Sequence, residues 1–182
     1  MMNTAERYRA NTAEFSKRVE AVPDDRWENQ SPCADWTARD VVSHMIDTSG
    51  MFLGFIDEKL PPAPSVKEDP VAAWASARNA VQACLDDPKT AQQEFEGMLG
   101  RSTFEAAAAK FLVPDALIHT WDLARATGLD ENIDEQEAEA ALENYKSLGD
   151  NVRNPRVFGP EVEAPPSADA QTRLLTFAGR QP

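Results

Sequence analysis

The sequence predicts an all-α fold, a single helical domain spanning 1–182 with a short extra helix in a C-terminal tail that wraps the bundle. Three observations lead there. Apolar residues recur at steps of three and four through most of the chain. Several of those stretches open on capping residues and close at Gly or Pro. No run alternates apolar and polar residues persuasively enough to make a strand.

The first helix is expected from about Thr4 to Ala21, with Tyr8, Thr12, Phe15, Val19 and Val22 along one face. A loop, PDDRWENQSPCADW, leads to a second helix whose start is well marked. Thr37 stands as its cap, Asp40 as the acidic partner of a capping box, and Trp36 and Val41 as a hydrophobic staple. Val41, Met45, Phe52, Phe55 and Ile56 form its apolar face up to Leu60-Pro61. After the linker PPAPSVKEDP, a third helix carries Val71, Trp74, Ala77, Val81 and Leu85. A fourth helical region runs from about Thr103 to Thr127; Pro114 inside it implies a kink or a fresh start, and Gly128 a left-handed cap. A further helix begins at Asp134 with Glu137 as capping partner, buries Ala138, Ala141, Leu142, Tyr145 and Leu148, and stops at Gly149. The Pro-rich tail holds one short helix near Ala168 to Phe177.

Composition narrows the function. A formal net charge of -13 repels phosphate backbones and anionic membrane surfaces, so neither nucleic acid nor a membrane is an expected partner. No apolar run is long enough to span a bilayer, and the polar start MMNTAERYRA is unlike a signal peptide. Two isolated cysteines, Cys33 and Cys84, make neither a disulfide framework nor a thiolate zinc cage, and a cytoplasmic location is expected.

The chemistry concentrates in PDALIHTWDLARATG. Asp115 and His119 are four apart, one helical turn, and Asp122 lies three further along the same face. Spacing alone favours a solvated polar face. The rest of this helix is nevertheless rich in Ala, Leu, Ile and Trp, which implies burial, and a buried carboxylate needs a partner; a metal is one of the few that satisfies an Asp and a neutral His together. His44, in DVVSHMIDTSGMF, lies at the edge of an apolar face, where a hydrogen-bonded boundary residue is the plainer reading. It is, however, the only other histidine in the chain. Two histidines and one carboxylate from two helices would form an open site for Zn²⁺ or another first-row divalent ion.

Other residues have structural readings. Trp36 and Thr37 build a helix start, with Trp36 also a candidate for a pocket mouth. Trp121 and Asp122 pack and cap within the bundle, the alternative for Asp122 being to orient an imidazole N–H. Cys33, with no cationic neighbour in sequence except Arg39, reads as a small buried filler, and Arg125 as half of a surface salt bridge.

The segment SPCADWTARDVVSHM resembles the start of the second helix in the DinB/YfiT-like superfamily. DALIHTWDLARATG resembles the metal-ligand helix of the branch related to the metal-binding N-terminal domain of mycothiol-dependent maleylpyruvate isomerases. The resemblance runs from the first helix to the closing LLTFAGRQP. It implies a DinB-like four-helix bundle with a divalent metal, Zn or Ni, held by His44, Asp115 and His119. Two departures stand out: Asp115 replaces the longer Glu of the characterised isomerases, and there is no room for their C-terminal domain. The resemblance thus implies a metal-binding domain rather than isomerase activity itself.

The expected function is a metal-dependent transferase that activates a low-molecular-weight thiol, mycothiol-like, for attack on a small electrophile. Its partners would be that thiol and a small-molecule substrate, with the protein a monomer or homodimer. The alternatives are a non-catalytic metal-containing small-molecule binding protein and a metal-dependent hydrolase. For the last, only Asp40 or Asp122 offers a general base.

Overall fold

In the computed structural model, residues 2–97, 100–149 and 158–182 are described. The part of the tail at 150–157, read above as wrapping the bundle, lies outside them. The helices are α1 (Thr4–Ala21), α2 (Ala38–Gly54), α3 (Pro70–Asp86), the short α4 (Pro88–Ala91) and α5 (Phe104–Ala107), α6 (Val113–Thr127), α7 (Glu135–Ser147) and α8 (Ala170–Phe177). In the four-helix core, α1 and α2 each pack against both α3 and α6. The pair α7 and α8 closes against the outer side of α6 through Trp121, Leu142, Tyr145, Leu174 and Leu175, all buried.

The expected starts and stops are largely the observed ones. Thr37 accepts from the Asp40 N–H at 3.2 Å while Asp40 accepts from the Thr37 N–H at 2.8 Å, completing a capping box at α2. Gly128 ends α6 with φ +74°, a left-handed position that costs glycine little. At α7 the capping box is only half made. Asp134 accepts from the Gln136 and Glu137 N–H groups. The Glu137 carboxylate instead accepts from the Arg7 and Asn11 side chains of α1, which fastens α7 to the core.

Two features depart from the expected pattern. Strands β1 (Glu94–Gly97) and β2 (Gly100–Thr103) pair antiparallel, where no strand was expected. Four residues are too few to show a period against the helical background. The second is the helix before Pro114. That proline cannot donate to the carbonyl of Lys110, and its ring crowds the same carbonyl. The chain answers with a π-helical turn over Ala108–Leu112, and the Lys110 carbonyl accepts from Asn144 Nδ2 of α7 at 2.7 Å. The helical path therefore continues into α6 without a break, and Asp115 follows directly on the proline.

No helix among the described residues is long and apolar enough to cross a membrane.

Candidate metal centre

Helix α6 is buried on nearly every side, because it is gripped by α1 and α2 on one flank and α7 on the other. Its polar residues must therefore find partners inside the protein. Asp115, His119 and Asp122 follow one another up the same face, and α2 supplies His44 from across the core. His44 Nε2 lies 3.3 Å from Asp115 Oδ2 and His119 Nε2 lies 3.4 Å from Asp115 Oδ1. The two imidazole centroids are 4.7 Å apart. The three residues that the sequence singled out as metal ligands are thus brought together, although 71 positions separate His44 from Asp115 in the chain.

Trp36 forms one wall, its ring 4.7 Å from that of His44 and 6.0 Å from that of His119. It also packs against the core group that contains Val41, so it serves both the helix start and the edge of the site. The Thr48 hydroxyl lies 3.4 Å from His44 Nε2. The cluster is open on the side of His44 and Asp115, whose side chains are 28% and 21% exposed, whereas His119 is 6% exposed.

Behind His119 the structure shows what the sequence did not. His119 Nδ1 lies 3.0 Å from Asp122 Oδ2, and Asp122 is fully buried. Arg180, from the closing residues, donates to Asp122 through Nη2 at 2.8 Å and Nε at 3.2 Å. Its Nη2 also donates to Cys33 Sγ at 3.1 Å, and the Cys33 thiol donates to Asp122 Oδ2 at 3.3 Å. The sequence reading of Cys33 as a small buried filler is corrected: it is half-buried and hydrogen-bonded to an arginine and an aspartate. Among the described residues Asp122 caps no helix; it faces an imidazole nitrogen, as the alternative reading had it. Asp40 is spent on its capping box, and Arg125 pairs with Glu131 while lying over the Trp121 ring.

The electrostatics follow from this arrangement. Burial opposes the charge of Asp115, but the two imidazoles outweigh it and hold the carboxyl well below its usual range. Burial likewise disfavours a charged His119, yet Asp115 and then Asp122 and Cys33 raise it well above the ordinary imidazole value. Asp122 is held low against its burial by His119 and Arg180. His119 is thus clamped between two carboxylates, with Nε2 toward Asp115 and Nδ1 toward Asp122.

That clamp is imperfect. Asp115 Oδ2 and His119 Nδ1 are both buried and both lack an aligned hydrogen bond, despite their close neighbours. A buried oxygen left in this state, 3.3 Å from His44 Nε2, is an acceptor suited to a cation. The spacing fits as well, since donors at bonds of about 2.1 Å around a tetrahedral ion stand about 3.4 Å apart. One donor atom from each of His44, Asp115 and His119 lies within 4.8 Å of the others. The residues present fit a divalent ion with coordination positions to spare.

The fold and this cluster define a helical-bundle protein with a two-imidazole, one-carboxylate donor set inside its core. Residues 8–124 match the mycothiol maleylpyruvate isomerase N-terminal domain family, and the chain belongs to that family. Two uncharacterised proteins from two strains of Mycobacterium tuberculosis, Rv0738 and MT0763, are each 26% identical over 171 residues, covering 91% of this chain and 91% of theirs. No solved structure matches the chain.

Proposed function

We propose that the protein is a metal-dependent transferase that uses His44, Asp115 and His119 to hold one divalent ion and activates a low-molecular-weight thiol of mycothiol type toward a small electrophile. The observation that carries this reading is the convergence of the only two histidines on the Asp115 carboxylate, whose Oδ2 is buried and makes no aligned hydrogen bond among the described residues, in a mycothiol-related family. When bound, such an ion supplies the lowered thiol pKa that makes a thiolate available at neutral pH.

The chain's own residues supply the rest. Asp115 brings the negative charge that a dication requires, and its depressed pKa keeps it ionised throughout the neutral range. His119 gives Nε2 to the cluster because Nδ1 faces Asp122. His44, on a different helix, closes the set from the exposed side. The Trp36 ring excludes water along one wall and offers an apolar surface to a substrate. Neither cysteine is needed as a nucleophile: Cys33 is engaged with Arg180 and Asp122, and burial pushes the Cys84 thiol up.

The test is the rate of conjugation of mycothiol, or a simpler thiol, to a chromogenic electrophile. Metal-loaded protein, metal-depleted protein and the Cys33→Ser/Cys84→Ser double variant are compared. The proposal expects a rate that requires metal, saturates with thiol and survives the double substitution. Equal rates with and without metal would make the protein a metal-containing binding module. Loss of activity in the double variant would transfer the chemistry to a protein thiol.

A further inference from the structure

Arg180 lies 58 residues from Asp122 and 147 from Cys33, yet its guanidinium reaches both. Its placement is built into the end of α8. Gly179 adopts φ +82° and its N–H donates to the Thr176 carbonyl at 3.0 Å, while the Arg180 N–H donates to the Leu175 carbonyl at 2.8 Å. These are the two bonds of a Schellman cap, which turns the chain back on its helix. A Cβ at Gly179 would come within 2.9 Å of the Pro160 carbonyl oxygen, so the backbone is held closely here. Arg180 Nη1 also donates to the Ala178 carbonyl at 2.9 Å, which fixes the side chain across the cap.

The guanidinium then grips Asp122 with two nitrogens, one on each carboxylate oxygen. A two-point contact of this kind fixes the plane of the carboxylate as well as its position. Asp122 is 0% exposed, and Oδ2, the oxygen nearest His119 Nδ1, is the one Nη2 holds at 2.8 Å. The imidazole in turn has Nε2 directed toward Asp115. Cys33, Asp122 and His119 could themselves surround a cation, and the guanidinium stands against two of them.

We infer that Arg180 is a positioning residue for the metal centre, acting through Asp122 to set the orientation of His119 and filling the cation position beside it. This rests on the metal reading of His44, Asp115 and His119. Partners that orient a ligating imidazole govern metal affinity by about tenfold to a hundredfold. A neutral residue at 180 would free Asp122 from its second partner and loosen the ring. It would also leave Cys33, Asp122 and His119 Nδ1 without a resident cation.

The experiment is competitive titration of Zn²⁺ against a chromophoric chelator, with the visible spectrum of the Co²⁺-substituted protein recorded in parallel. Wild type, Arg180→Ala, Arg180→Lys and Arg125→Ala are compared. Arg180→Ala is expected to weaken the site by about tenfold to a hundredfold and to alter the Co²⁺ spectrum. Lysine, which restores a cation without the two-point fork, should recover part of the loss. Arg125→Ala should match wild type, because that arginine pairs with Glu131 and lies over the Trp121 ring. Thermal melts in excess chelator show whether each variant is folded. If the alanine variant is not, the lysine variant carries the same comparison with a smaller expected loss. An Arg180→Ala protein with wild-type affinity and spectrum would overturn the inference while leaving the metal site standing. A wild-type protein that takes up neither ion would overturn both.

Discussion

Replacing His119 with alanine separates what the residue does for metal binding from what it does for the fold. The imidazole is 6% exposed and lies between two carboxylates, so its removal leaves a small cavity and takes a partner from each. Breaking a buried pair outright costs about 3–5 kcal/mol. Both carboxylates keep a second partner, however: Asp122 retains Arg180 at 2.8 Å and Asp115 retains His44 at 3.3 Å. The expected loss is smaller, about 1–3 kcal/mol, within the usual range for single substitutions. For a chain of this size that lowers Tm by about 2–4 °C per kcal/mol, so the metal-free variant still melts as a folded bundle. Ligand linkage gives the other half. Zn²⁺ at about a thousand times its Kd stabilises wild type by about 4 kcal/mol, or on the order of 8–16 °C, and His119→Ala should lose that gain altogether. Thermal melts with chelator and with Zn²⁺, followed by circular dichroism, read both quantities. A variant that retained half or more of the wild-type Zn²⁺ shift would refute the assignment of His119 as a ligand.

Both tyrosines of the chain, Tyr8 and Tyr145, are buried, and burial pushes each phenol above its ordinary value. Their contribution to stability is complete below about pH 10, the unfolded value, and is lost as pH rises from there toward the folded values; tyrosinate absorbance should therefore appear together with alkaline unfolding, and its appearance in a still-folded protein would contradict the burial. Asn144→Ala leaves the Lys110 carbonyl without the side-chain donor that Pro114 makes necessary, at an expected cost of about 1–3 kcal/mol in urea denaturation. Gly128→Ala forces a side chain onto φ +74° and should cost about 1 kcal/mol by the same measurement, with metal uptake unchanged.

Local chemistry made much of this protein legible in its sequence. The Thr37–Asp40 capping box, the Gly128 stop and the Asp115–His119 spacing all depend on residues three or four apart, and the structure contains each of them. Pro114 announced a disturbance, but whether the chain would kink, restart or widen depended on Asn144, a residue 30 positions away. Glu137 looked like a capping partner until Arg7 and Asn11 of α1 drew it away. His44 was joined to the α6 pair by being the other histidine and by family resemblance, not by any local pattern. Arg180 had no such help. Nothing in LLTFAGRQP signals that a Schellman cap will aim this arginine at a buried aspartate from α6, and the cationic neighbour of Cys33 was correspondingly missed. Long-range pairing of single polar residues has no period to read.

The central claim is that His44, Asp115 and His119 hold a metal ion. Its most direct test is elemental analysis of untagged protein purified without chelator, alongside the His44→Ala and His119→Ala variants. Wild type should carry about one Zn, Ni or similar divalent ion per chain, as a single three-ligand open site requires, and either variant essentially none. Metal-free wild type, or metal that persists at full stoichiometry without either histidine, would contradict it.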